Sequence, residues 1–210
     1  MNTNTNLALK LNVAGSPASR NEYNETELVI LSQQGDEAAF QQLYRRFARN
    51  LYAMAYHMLG NHQDADEVLQ ETFIRVFKNI TRLRSPEAFT SWIYQITVNL
   101  CMDHRKMRAR ARWQSLENDE EGASLFELAT TKWVRNPHQV LENKELLGEI
   151  TAAIDDLPEQ QKAVIIMHEV EGLSKKMIAD VLRCSLVTVR TNLHHARKKL
   201  RKRLHMYLKA

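Results

Sequence analysis

Between Glu27 and Met58 apolar residues return every three or four positions, and nowhere in the chain do they alternate one by one. Phe40, Leu43, Tyr44, Phe47, Leu51, Met54, Ala55 and Met58 form one stripe, the mark of a long amphipathic helix. Gly60-Asn61 ends it with residues that tolerate the left-handed conformation. The same period resumes from Asp64 to Ile80. It puts Ala65, Val68, Leu69, Thr72, Phe73, Val76 and Phe77 inward and leaves Asp64, Asp66, Glu67, Glu71 and Arg75 outside the stripe. Ser85-Pro86 then reads as a cap followed by proline at the first helical position, starting a third helix with Phe89, Trp92, Ile93, Ile96 and Leu100. With only 6 Gly and 4 Pro in 210 residues, a turn-rich β architecture is disfavoured and an all-α fold is expected.

The helical pattern fails twice, and the failures divide the chain. Residues 1–25 are rich in Asn, Thr and Ser without a period, and are expected to be a disordered extension. Residues 26–112 form the first helical domain. From 113 to 135 the pattern collapses into an acidic stretch with Glu117, Asp119, Glu120, Glu121 and Gly122, expected to be a flexible linker. Asn136-Pro137 restarts helix, and 136–210 make a second helical domain. Its helices carry Val140, Leu147, Ile150, Ile154 and Leu157, then Val164, Ile165 and Met167 after Pro158, with Gly172 as a stop. Two small helical domains joined by a linker are the expected architecture.

The net charge is +4, but the basic residues are concentrated. One run is His104-Arg105-Lys106-Met107-Arg108-Ala109-Arg110-Ala111-Arg112, the other Arg197-Lys198-Lys199-Leu200-Arg201-Lys202-Arg203. Such runs are electrostatic footprints for nucleic acid. The two cysteines, Cys101 and Cys184, are too few for a disulfide framework and suit a reducing cytoplasm. No stretch approaches the roughly 20 apolar residues that cross a bilayer, so no membrane insertion is expected. Cys101 and His104 lie at helical spacing without a second pair, so no metal site and no cofactor are expected. Phosphate-cradling glycine loops and nucleophile motifs are missing, which argues against an enzyme.

The last third reads as a helix-turn-helix. Ser174 caps one helix and Ser185 the next, and Val189 and Leu193 face back onto the first. The start of the second helix would then enter a major groove, presenting Val187, Thr188, Arg190, Thr191, Asn192, His194 and His195. Arg190 can fork onto a guanine edge and Asn192 can pair with adenine. Arg197, Lys198 and the basic residues after them would grip phosphates.

These residues resemble a family. Leu157-Pro158-Glu159, Ala179-Asp180-Val181-Leu182, Thr188-Val189-Arg190 and Leu193-His194-His195-Ala196-Arg197-Lys198-Lys199-Leu200 look like sigma region 4. Asp64-Ala65-Asp66-Glu67-Val68-Leu69-Gln70-Glu71-Thr72-Phe73-Ile74-Arg75-Val76-Phe77 is similar to sigma region 2.2. Phe89-Thr90-Ser91-Trp92-Ile93-Tyr94-Gln95-Ile96-Thr97-Val98-Asn99 resembles the segment that opens and reads the minus-ten element. The chain therefore resembles the extracytoplasmic-function (ECF) subfamily of the sigma-70 family of bacterial RNA polymerase sigma factors.

The resemblance implies a region 2 helical bundle and a region 4 helix-turn-helix that direct promoter-specific initiation. It implies core RNA polymerase as partner, through clamp coiled coil and flap, with Asp66, Gln70, Glu71 and Arg75 contacting polymerase. It implies promoter DNA, with Phe89, Trp92, Asn99, Arg105, Lys106 and Arg108 at the minus-ten element. Thr188, Arg190, Thr191, Asn192, His194, His195, Arg197 and Lys198 would then serve the minus-thirty-five element. An anti-sigma partner is expected from the family, and its linkers thread toward the RNA path. The sequence departs from the family at Arg183, where glycine is common in the turn, and at Lys175-Lys176 and Asn192. Two other readings stay open at this point: a sigma-like mimic that sequesters an anti-sigma factor, and a stand-alone helix-turn-helix regulator.

Overall fold

The computed structural model of the protein describes residues 23–116, 148–205 and 207. The extension over 1–22, most of the expected linker and the Asn136-Pro137 helix start lie outside the described residues. Within them the secondary structure is helical throughout, as the apolar period predicts.

The first stripe is two helices rather than one. Helix α1 (Glu25–Gln33) begins with a reciprocal cap: Asn24 Oδ1 accepts from the Glu27 amide and Glu27 Oε2 accepts from the Asn24 amide, both at 2.9 Å. Gly35, at φ +92, breaks the chain, and Asp36 starts α2 (Glu37–Leu59) by accepting from the amides of Ala38 and Ala39 at 2.8 and 3.0 Å. The apolar period runs through both because both pack on one core, so periodicity alone hides the joint. Gly60, left-handed at φ +70, closes α2, and Asn61 caps α3 (His62–Asn79).

A 3-10 turn at Ile80–Arg82 and a second at Pro86–Ala88 lead into α4 (Phe89–Leu116). The expected Ser85 cap does not form. Its hydroxyl donates to Glu87 Oε2 at 2.8 Å, because a 3-10 turn, not an α-helical first turn, follows the proline. Helix α4 also continues past the expected linker start at 113, to Leu116.

Leu43, Leu51, Met54, Ala55 and Met58 of α2 meet Val68 and Val76 of α3 and Ile93 and Val98 of α4, all essentially without exposure. Fully burying a side chain of this size is worth about 1.5–3 kcal/mol, so this seam carries the fold of residues 25–116. One polar pair interrupts it: Thr72 and Thr97 face each other across α3 and α4 with hydroxyls 3.2 Å apart, and Thr97 Oγ1 also donates to the Ile93 carbonyl at 2.9 Å.

The second unit comprises α5 (helical over 148–155), α6 (Glu159–Ile165) with a π turn at Ile166–Val170, α7 (Lys175–Leu182) and α8 (Leu186–Arg203). Gly172, at φ +69, stops the π turn as expected. Helices α7 and α8 are the predicted helix-turn-helix. Ser174 Oγ accepts from the Met177 amide at 3.1 Å and Ser185 Oγ from the Thr188 amide at 3.0 Å. Between them Arg183 sits left-handed at φ 49, ψ 45, the one non-glycine residue with positive φ among those described. A side chain there costs about 1–2 kcal/mol, a cost that glycine at the same place would not bear. Val181, Val189 and Leu193 close the core between the two helices.

Candidate functional site

An apolar groove of about 450 Å³ runs along the outer face of α2 and α3. Phe40, Tyr44, Leu69, Phe73, Ile74 and Phe77 line it, with Asp66, Gln70 and Lys78 at the rim. Phe77 corrects the sequence reading: it is 65% exposed, not inward. It leans edge-on against Phe40 at 5.4 Å, and among the described residues no element crosses over it. A large exposed aromatic in an apolar groove with a charged rim has the make-up of a protein-docking surface. The four polar residues expected at polymerase divide around it. Asp66 and Gln70 border the groove. Glu71 and Arg75 pair with each other at 2.8 Å and turn toward the α4 side.

On that side, the end of α3, the first 3-10 turn with the loop after it, and α4 enclose a basic groove lined by Arg75, Asn79, Arg82, Leu83, Arg84, Trp92 and Ile96. Gln33 of α1 fixes the loop by donating to the Ile80 and Leu83 carbonyls at 2.9 and 2.8 Å. Trp92 is partly exposed here, but Phe89 is fully buried against Phe47, with ring centres 5.4 Å apart. Phe89 is thus a core residue, because it opens α4 on the inward stripe with Ile93. Arg82 and Arg84 lie in the loop from about Thr81 to Thr90 where the resemblance puts the minus-ten pocket, but neither they nor Asn79 were named individually. Their signal was two arginines close together in that loop, outside either dense basic run.

Asn99 is exposed on α4. The first basic run is partly committed. Arg108 Nη1 donates to Asp64 at 2.6 Å, Lys106 lies 3.7 Å from Asp103, and Arg105 Nε meets Glu159 of α6 at 2.7 Å. On α8, Arg190, Thr191, His194, His195 and Lys198 are exposed and Asn192 partly so. Thr188 keeps its hydroxyl on Ser185 at 2.8 Å, and Arg197 grips Glu169 at 2.6 Å. Val187, 67% exposed at the start of α8, adds an apolar contact point suited to a thymine methyl.

Two family models match the chain: Sigma-70 region 2 over residues 43–111 and Sigma-70 region 4 over residues 147–200. The ECF RNA polymerase sigma factor SigW of Bacillus subtilis is 30% identical over 171 residues, covering 81% of this chain and 91% of its own length. This chain is an ECF sigma factor of the sigma-70 family.

The sigma factor is also 34% identical to the ECF RNA polymerase sigma factor SigE of Mycolicibacterium smegmatis, over 84% of this chain and 66% of that relative. Among solved structures, CnrH in complex with the cytosolic domain of CnrY shares the fold with TM-score 0.63 at 22% identity, covering 87% of this chain and 97% of that one. The sigma factor RpoE of Bartonella quintana, solved with the anti-sigma factor NepR, gives TM-score 0.62 at 19% identity, with coverage of 79% and 96%. No helix among the described residues of the sigma factor is long and apolar enough to cross a membrane.

Asp64, Glu67 and His104 of the sigma factor bring ligand-type atoms within 4.8 Å of one another. Asp64 is already taken by the Arg108 guanidinium, whose positive charge opposes a second cation. The Asp64–Arg108 pair joins α3 to α4.

Burial pushes the Glu171 carboxyl, beside Tyr94 of α4, up to about 7. Below about pH 4.5 it is protonated folded and unfolded, and contributes nothing. As pH rises toward 7 the unfolded chain releases this proton while the folded one holds it, so stability falls across that window. Glu171→Gln removes this loss. The melting temperature of the native chain minus that of the variant should decline from pH 4.5 to 7.5, and a constant difference would refute the assignment.

Proposed function

We propose that this sigma factor is a dissociable, non-enzymatic initiation subunit whose three surfaces divide the work. The apolar groove around Phe77, with Asp66 and Gln70 at its rim, docks on core polymerase, and Glu71 and Arg75 contribute from its edge. The basic groove between Arg75 and Trp92 holds the minus-ten strand. Stacking on an aromatic face is worth roughly 1–3 kcal/mol per base, and three arginines and Asn79 around Trp92 supply backbone charge and a hydrogen-bonding edge. Asn99, Arg105, Lys106 and Arg108 continue this surface along α4 toward the upstream duplex. Helix α8 reads the minus-thirty-five element through Arg190, Thr191, Asn192, His194 and His195, while Thr188 holds the helix start and Arg197 and Lys198 bind phosphates. The protein acts in the cytoplasm, where polymerase is.

The observation that carries this reading is the exposed Trp92 groove standing beside an independent docking surface. A stand-alone helix-turn-helix regulator needs neither. A mimic that only titrates an anti-sigma factor has no use for a basic groove around a partly exposed tryptophan. RpoE of Bartonella quintana is bound to the anti-sigma factor NepR, and an anti-sigma protein for this chain would compete with polymerase or promoter for these surfaces.

Runoff transcription on genomic fragments, with purified core polymerase and with or without this protein, tests the reading. Discrete start sites are expected only in its presence. Core binding without any initiation would reinstate the mimic.

A further inference from the structure

The groove between Arg75 and Trp92 holds about 360 Å³, within the roughly 300–1,000 Å³ of small-ligand sites. Its hydrogen-bonding groups are one-sided. A guanidinium or an indole N–H donates and never accepts, and Leu83 and Ile96 do neither. Arg75 spends its Nε on Glu71 and keeps its terminal nitrogens free. The side chains of Arg84 and Trp92 have no hydrogen-bond partner among the described residues. Asn79 Oδ1 is the one side-chain acceptor in the lining, and it faces Arg82 Nη1 at 3.5 Å.

The main-chain acceptors nearby are engaged as well. The Leu83 carbonyl accepts from Gln33 Nε2 at 2.8 Å. The Ile80 carbonyl accepts from Gln33 Nε2 at 2.9 Å and from the Leu83 amide at 3.1 Å. The Arg75 carbonyl accepts from Asn79 Nδ2 at 2.9 Å. An occupant of the groove therefore meets donors.

Bases differ in what they offer in return. Guanine and thymine carry a keto oxygen where adenine and cytosine carry an amine. A keto oxygen turned toward Arg82 or Arg84 accepts from them. An amine in its place sets donor against donor and loses the water that had satisfied it. Trp92 can stack on any base and so does not choose among them; the donors do.

We propose that this groove selects a keto-bearing base, guanine or thymine, at the position of the minus-ten strand that it captures, with Arg82 and Arg84 as the selecting residues. Gln33 is a positioning residue. By occupying the Ile80 and Leu83 carbonyls from α1, it removes the acceptors that an amine would have used. The inference rests on the promoter reading above and adds to it the class of base.

The test assembles the full chain with core polymerase on pre-opened bubble promoters, where pairing between the strands plays no part. Each position of the non-template minus-ten strand carries the four bases in turn. One position should prefer guanine or thymine. There the keto oxygen is exchanged for an amine, with 5-methylcytosine in place of thymine or 2,6-diaminopurine in place of guanine. Initiation should fall roughly 10- to 100-fold. Arg82→Gln and Arg84→Gln bring an amide that accepts as well as donates, and each should shrink this ratio several-fold. Gln33→Leu should shrink it too. A ratio between two templates does not depend on how much of a variant is folded, so loss of folding cannot imitate these results.

A preference for adenine or cytosine at the captured position overturns the proposal. So does an exchange without effect on templates that initiate normally, which would leave the arginines as phosphate contacts. A ratio that both arginine variants leave intact overturns it as well, and one unchanged by Gln33→Leu removes the part of Gln33. Absence of initiation from every bubble would overturn the promoter reading itself, and this inference with it.

Discussion

Phe77→Ala should weaken binding of the sigma factor to core polymerase by about 30-fold or more while shifting its melting temperature by no more than a few degrees. The two halves of this expectation have separate causes. Phe77 is 65% exposed and touches its own fold mainly through the edge of Phe40, so little folding energy is lost with it. In a docked complex the same ring becomes the anchor of a groove already walled by Phe73, Tyr44 and Leu69, and aromatic anchors at the centre of such patches commonly carry 2 kcal/mol or more. Competition for core polymerase against a labelled sigma factor gives the affinity, and thermal melting gives the control. Undiminished affinity would move the docking surface elsewhere. Ile74→Ala and Tyr44→Ala at the groove walls should follow the same pattern more weakly.

Arg190→Ala should relax promoter choice by roughly 10- to 100-fold without changing core affinity. A bidentate arginine on guanine discriminates by about 1–3 kcal/mol, and loss of one charge also weakens binding to every sequence slightly. Arg190 is exposed one turn into α8, flanked by Thr191, with Val189 behind it in the core, so its removal leaves the helix-turn-helix intact. Transcription from the natural promoter and from variants with single changes in the minus-thirty-five element measures the ratio. Equal losses on all templates would make Arg190 a phosphate contact, and a parallel fall in core affinity would show that α8 serves polymerase instead.

Much of this was legible in the residues. The caps at Ser174 and Ser185, the stop at Gly60 and the stripe of Val189 and Leu193 are local signals, and local chemistry decides them. The join between α1 and α2 was not, because Gly35-Asp36 interrupts the backbone without interrupting the apolar face. Phe77 and Phe89 show the same limit from opposite sides. Helical periodicity tells which residues share a face, but a face is buried only where another element covers it. Phe89 meets Phe47, whereas Phe77 lies beyond the reach of α4. The commitment of Arg105 to Glu159 was invisible for a related reason: the two residues are 54 positions apart, and no pattern along the chain couples them.

The Thr72–Thr97 pair has a consequence for how the basic groove keeps its width. Leucine and valine along a helix seam are tolerant of sliding, since one methyl group can replace another a turn away. Two hydroxyls that bond only to each other and to the Ile93 carbonyl have a single satisfactory alignment. A slip of one helical turn, about 5.4 Å, would strand the Thr72 hydroxyl in an apolar seam, while Thr97 kept only its bond within α4. It would also carry Trp92 and Ile96 on α4 away from Arg75 and Asn79 on α3, the opposite walls of the groove. The pair therefore acts as a gauge block. It sets, from inside the protein, the spacing at which an aromatic face and its cations are presented to a nucleic acid that it never touches.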